Sequence, residues 1–121
     1  MAAEQHGLAD RELVLRYFET WNTGDSVVAG EVLHPEWRDH APPEITGPGD
    51  VQRAVEYVQA TQSDLRFDIS AVLNEGELPA AVGEVSRGAG TAATASGLIW
   101  LIRVRDGLLA EIWTHRRDER A

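Results

Sequence analysis

The sequence predicts an α+β fold in which a curved sheet wraps three helices. Two observations carry this expectation. In the first half, apolar residues recur at three–four spacing, the mark of amphipathic helices, whereas from Asp64 onward they alternate with polar ones, the mark of strands with one wet face. A length of 121 residues with 43% hydrophobic content also suits one core rather than two, so a single domain over 1–121 is expected, with 1–9 and 116–121 frayed.

Residues 10 to 23 form the first helical stripe, through Val14, Tyr17, Phe18 and Trp21. Gly24 suits the left-handed position after that helix and Asp25 the N-cap of the next, which runs to about Leu33 and contains a costly Gly30. His34-Pro35 closes it and leads into a strand around Trp37. After Pro42-Pro43, the turn Gly47-Pro48-Gly49-Asp50 feeds a third helix with Val51, Ala54, Val55 and Val58 on its stripe. Leu65, Phe67, Ile69, Ala71 and Leu73 then share one face of a strand that turns at Asn74–Glu77. Strands over 79–87, 91–105 and Leu108–His115 follow, joined by turns at Arg87–Gly90 and Asp106-Gly107. Asp-Gly between apolar runs is a strong hairpin signal.

Composition excludes several functions. A net charge of −9 repels phosphate backbones and anionic membranes, and no apolar run could span a bilayer, so neither nucleic acid nor a membrane is an expected partner. The first residues lack the basic and apolar regions of a signal peptide, which makes the cytoplasm the expected location. With no cysteine there is neither disulfide nor thiolate chemistry, and because all eleven basic residues are arginine there is no lysine for a Schiff base. His6, His34, His40 and His115 show no paired metal-ligand spacing, and no glycine-rich phosphate loop follows a strand. Neither a metal nor a cofactor is expected.

The stretch richest in chemistry is Trp37-Arg38-Asp39-His40, stopped by the two prolines. If it is extended, Trp37 and Asp39 share one face while Arg38 and His40 share the other, so only one pair can face a given pocket. His40 reads either as a general base titrating near neutrality or as a histidine hydrogen-bonded at a strand end. Asp39 needs desolvation to become a useful base, and otherwise orients His40 or caps the turn.

The chain resembles the SnoaL-like polyketide cyclases of the nuclear transport factor two-like superfamily. The resemblance rests on Arg16–Asp25, Leu33–His40, Gly47-Pro48, Asp64–Phe67, Ile102–Gly107 and Glu111–Trp113, in order along nearly the whole chain. It implies a cone in which a curved mixed or antiparallel sheet and three helices enclose an apolar cavity, in proteins that are often dimers. It further implies an oxyanion-donor role for the Tyr17 hydroxyl, against core packing as the alternative, and a base at Asp39 or His40. One position departs: where the family commonly keeps an acid/base aspartate, this chain has Trp100.

The expectation is therefore a cofactor-independent cyclase or isomerase acting on a polyketide-like or other small apolar carbonyl compound. Tyr17, Asp39 and His40 carry the chemistry, while Trp37, Trp100, Phe18, Leu98 and Ile102 line the cavity. Trp21 and Trp113 are expected in the core, and His115 inside the cone or in solvent. A non-catalytic binding module is the rival. An epoxide-opening enzyme would need charged residues to hold water, but the odd spacing of Glu84 and Arg87 puts them on opposite strand faces. A homodimer is expected through the apolar outer face of the sheet, where Leu101 lies opposite Trp100.

Overall fold

The computed structural model describes residues 2–41, 44–74, 78–88 and 94–116. In chain order the elements are α1 (Ala2–Thr23), α2 (Val27–Val32), β1 (Leu33–Asp39), β2 (Ile45–Thr46), α3 (Gly47–Thr61), β3 (Arg66–Leu73), β4 (Ala80–Arg87), β5 (Thr94–Arg105) and β6 (Leu108–Arg116). The strands form one open sheet in the order β2-β1-β6-β5-β4-β3. All neighbours are antiparallel except β1 and β6, which run parallel.

Local chemistry sets most boundaries. α1 ends where Gly24 turns left-handed at φ 81° and its N–H donates to the Thr20 carbonyl, satisfying a terminal acceptor. Gly47 at φ 80° and the following Pro48 open α3, where proline's missing N–H costs nothing. Asp106 and Gly107 both adopt positive φ, 55° and 75°, as a two-residue hairpin turn requires.

Several boundaries differ from the sequence expectation. α1 starts at Ala2 rather than residue 10, so the expected frayed start is helical from Ala2; Met1 and residues 117–121 lie outside the described residues. The N-cap of α2 is Ser26, not Asp25, and it makes no side-chain cap bond. Leu33, His34 and Pro35 belong to β1 instead of closing α2, and β2, only two residues long, was too short to leave a periodic pattern. The turns expected at Asn74–Glu77 and Arg87–Gly90 fall largely on residues 75–77 and 89–93, outside the described residues.

The largest departure is a bulge in β3. Ile69 pairs with Gly83 but Ala71 pairs with Val82, leaving Ser70 as an extra residue whose hydroxyl donates to the Val82 carbonyl. One extra residue flips the faces that follow. Phe67 and Ile69 therefore point inward as expected, but beyond the bulge Val72 is buried and Leu73 is 62% exposed. Gly83 makes the close approach possible, because a Cβ there would lie 2.2 Å from the Asp68 carbonyl oxygen.

The core lies between the helices and the inner face of the sheet. Val14, Tyr17 and Phe18 of α1, Val51 and Val55 of α3, and Trp37, Ile102 and Ile112 of the strands are all buried. On the outer face, cross-strand pairing aligns Leu73, Ala80, Leu101 and Trp113 in one row across four strands.

Candidate functional site

A cavity of about 260 Å³ opens between α1 and the inner face of the sheet. α1 contributes Tyr17, Phe18 and Trp21, which lie on one helical stripe. The sheet contributes the aliphatic Leu98 together with Phe67 and Trp100, whose rings complete an aromatic wall: Phe18 lies 4.6 Å from Trp100 and 5.6 Å from Phe67, centroid to centroid. Ile112 and Thr114 of β6 and Val85 of β4 fill the remaining apolar surface. Against this wall stand two charged groups, Asp39 at the end of β1 and Arg87 at the end of β4.

The pairing of β1 with β6 decides which half of the Asp39-His40 pair faces inward. Asp39 lies beside Ile112, whose side chain is buried in the core, and the next backbone bond, from His40 N–H to the Ile112 carbonyl at 3.1 Å, holds that register. Asp39 therefore joins the cavity wall. Its Oδ1 accepts from the Ala41 N–H at 2.9 Å, which fixes the carboxylate as the chain turns away. Burial pushes its pKa above the ordinary carboxylate value, only partly offset by the Ala41 bond and the nearby His40.

Tyr17 is 4% exposed, and its ring sits 5.2 Å from that of Trp37. Burial first, and the Asp39 charge second, hold its hydroxyl protonated far above the usual range, outweighing an opposing interaction with Trp21. A neutral phenol beside a desolvated carboxylate is a hydrogen-bond donor paired with a proton acceptor.

His40 lies on the other face. Its Nε2 is 3.1 Å from Glu111 Oε2, its Nδ1 3.8 Å from Glu44, and its ring stacks on Trp113 at 4.9 Å with 3° between planes. Arg103 Nε donates to the second Glu111 oxygen at 3.0 Å, and its guanidinium lies 5.7 Å over the Trp113 ring. Burial raises the Glu111 pKa, but the hydrogen bonds from His40 and Arg103, with their charges, outweigh it and hold it low. His40 does border a second hollow of about 320 Å³ that also receives the exposed His115, and Leu98 and Thr114 separate the two spaces.

The other expected residues divide as follows. Phe18, Leu98 and Trp100 line the main cavity. Trp37 and Ile102 do not: both are fully buried in the core, and the Trp37 Nε1 has no partner among the described residues. Trp21, expected in the core, is wall, and Trp113, also expected there, lies half-buried on the outer face against His40. Glu84 pairs with Asp68 and Gly97 on the outer face, opposite to Arg87, as their spacing implies. Phe67, Val85, Ile112 and Thr114 are additions to the wall expected from the sequence, and Arg87, discounted there as a partner of Glu84, joins it without Glu84. Alternation alone could have found Phe67 and Thr114, which keep inward parity with Ile69 and Ile112.

Three helices covering one face of an open, curved six-stranded sheet, with an apolar cavity between, define the cone-shaped nuclear transport factor two-like fold. Residues 14–112 match the model of the SnoaL-like domain, and the chain belongs to that family. Among solved structures it is similar to TsrD from Streptomyces laurentii, with 24% identity and a TM-score of 0.76 over 90% of this chain and 88% of that one. It is similar to Bal32a from a soil-derived mobile gene cassette, with 14% identity and a TM-score of 0.80 over 93% and 92% of the two chains. A candidate SnoaL-like polyketide cyclase from Jannaschia sp. CCS1 shares 17% identity, with a TM-score of 0.74 over 91% and 86%. At these identities the likeness shows the fold, and a fold of this kind hosts many chemistries. No curated protein matches the chain.

Proposed function

We propose that this chain is a cofactor-independent cyclase or isomerase that abstracts a proton next to the carbonyl of a small, largely apolar, polyketide-like compound. Asp39 takes the proton, and the electron pair left on carbon delocalises onto the carbonyl oxygen, where the Tyr17 hydroxyl donates a hydrogen bond. The protonated Asp39 then returns its proton, either to a different carbon or to the alkoxide formed when the carbanion closes a ring on a second carbonyl. The observation that carries this proposal is Asp39 itself, a carboxylate set in an aromatic wall with its pKa raised by burial. A raised pKa makes a carboxylate a stronger base, and proton transfer by a positioned base contributes about 10²–10⁴-fold. A donor in place before charge develops adds most where water is excluded.

Trp100 favours the second reading, a binding module of the same fold. Its indole occupies the wall where the family commonly keeps an aspartate, and a tryptophan transfers no proton in catalysis. The two proposals separate in one assay, exchange of the acidic C–H of an aryl 1,3-diketone with deuterated solvent, followed by NMR. A catalyst should accelerate exchange, and Asp39→Asn should remove about two to four orders of magnitude of it while ligand affinity holds. Tight binding without any accelerated exchange would favour the module.

A further inference from the structure

We infer that the natural substrate carries a carboxylate, or a comparable anionic group, at the end remote from its reacting carbonyl, and that Arg87 holds it. This rests on the proposal that Asp39 acts at the carbonyl end. Arg87 is the one cationic side chain in the cavity wall among the described residues; the other wall residues are aromatic, aliphatic or hydroxylic, apart from Asp39. Its own commitments are few. Nε donates to Gln62 Oε1 at 3.2 Å, which anchors the side chain to the end of α3, while the described residues offer it no acid within ion-pair distance. Arg16, Arg38, Arg53, Arg103 and Arg105, by contrast, are each paired with a carboxylate. A guanidinium anchored through Nε presents its two terminal nitrogens as a fork, the geometry that matches a carboxylate in a bidentate pair.

The sheet holds the two charged groups apart. β6 and β5 lie between the strands that carry Asp39 and Arg87, and the register adds an offset along the strands, since Asp39 lies level with Ile112 and Ile102 whereas Arg87 pairs with Thr94 at the start of β5. The cavity of about 260 Å³ between them takes a small molecule, whose aromatic faces would stack on Phe18, Phe67 and Trp100. With a net charge of −9 the protein repels anions at long range, so an anionic end needs a local cation to be tolerated. Arg87 provides that reversal of sign at the cavity.

The test compares 6-acetyl-2-naphthoate with its neutral methyl ester by isothermal titration calorimetry, and follows deuterium exchange of the acetyl methyl group in both. The naphthoate should bind at least about tenfold more tightly than the ester. Arg87→Gln should abolish that preference, bringing the affinity for the naphthoate down to that for the ester. If the ester binds and exchanges but the naphthoate has no advantage, or keeps it in Arg87→Gln, the anionic-substrate inference is overturned and the base assignment survives. If neither compound binds, the inference and the reading of the cavity as a site for apolar carbonyl compounds fall together.

Discussion

Replacing Gly83 by alanine tests how the cavity is shaped. Gly83 faces inward on β4, opposite Ile69 and Leu98 and next to the Ser70 bulge. An added Cβ would sit 2.2 Å from the Asp68 carbonyl oxygen and 2.9 Å from the Ile69 Cα, both backbone atoms that cannot swing aside. Reaching ordinary contact requires β3 and β4 to part by roughly 1 Å, enough to break a ladder bond whose natural length is about 2.9 Å. A backbone group left unpaired costs about 1–3 kcal/mol, and the overpacking itself about 1–3 kcal/mol more. The expected loss is therefore about 2–6 kcal/mol, or roughly 10–20 °C of melting temperature for a chain of this size. Phe67 on β3 and Val85 on β4 both line the cavity, so the same shift should weaken binding of an aromatic ligand. Thermal unfolding by circular dichroism with parallel calorimetric titration reads both effects. A melting temperature within a degree or two of the parent, with unchanged affinity, would refute the packing assigned to this bulge.

Other perturbations follow from the same geometry. Because burial raises the Asp39 pKa, the proton it binds stabilises the folded state below the ordinary carboxylate pKa, and that contribution is lost as pH rises through the raised value. At neutral pH the charge is a cost, so Asp39→Asn should melt higher than the parent at pH 7 and lose that advantage in acid. Glu111 has the opposite sign: its lowered pKa adds stability above the ordinary value that disappears as pH falls, and Glu111→Gln should flatten this acid limb in a melting series. Leu98→Asp puts a charge into the wall shared by both hollows and should lower stability by several kcal/mol or abolish ligand binding; neither effect appearing would count against the topology. We also propose a homodimer through the outer row of Leu73, Leu101 and Trp113, bordered by the 42% exposed Leu78. Sedimentation as a monomer at micromolar concentration would remove that proposal.

Much of the fold was legible because its signals are local. The stripe of α1, the left-handed Gly24, the Gly47-Pro48 start of α3 and the Asp106-Gly107 hairpin each depend on a few adjacent residues. What escaped depends on contacts between distant residues. Unbroken alternation put Leu73 inside, and only the pairing of β3 with β4 reveals the extra Ser70 that turns it out. Trp21 and Trp37 exchanged their expected places for a similar reason, since depth beneath a helix cannot be read from a period. The choice between Asp39 and His40 was open in the sequence because it hangs on the register with Ile112, far along the chain. Arg87 was set aside for lack of a same-face partner in sequence, although the cavity gives it one role and Glu84 another face.

Side-by-side single-turnover kinetics of Asp39→Asn and His40→Gln on one aryl diketone test the central claim most directly. Asp39 lies in the cavity wall, whereas His40 is occupied by Glu111 and Trp113 on the opposite face. Asp39→Asn should therefore lower the rate by about 10²–10⁴-fold. His40→Gln, which removes a partly exposed ion pair worth about 0–1 kcal/mol, should leave the rate within a few-fold of the parent. A large loss in His40→Gln with Asp39→Asn nearly silent would contradict the account and move the chemistry to the second hollow beside His115.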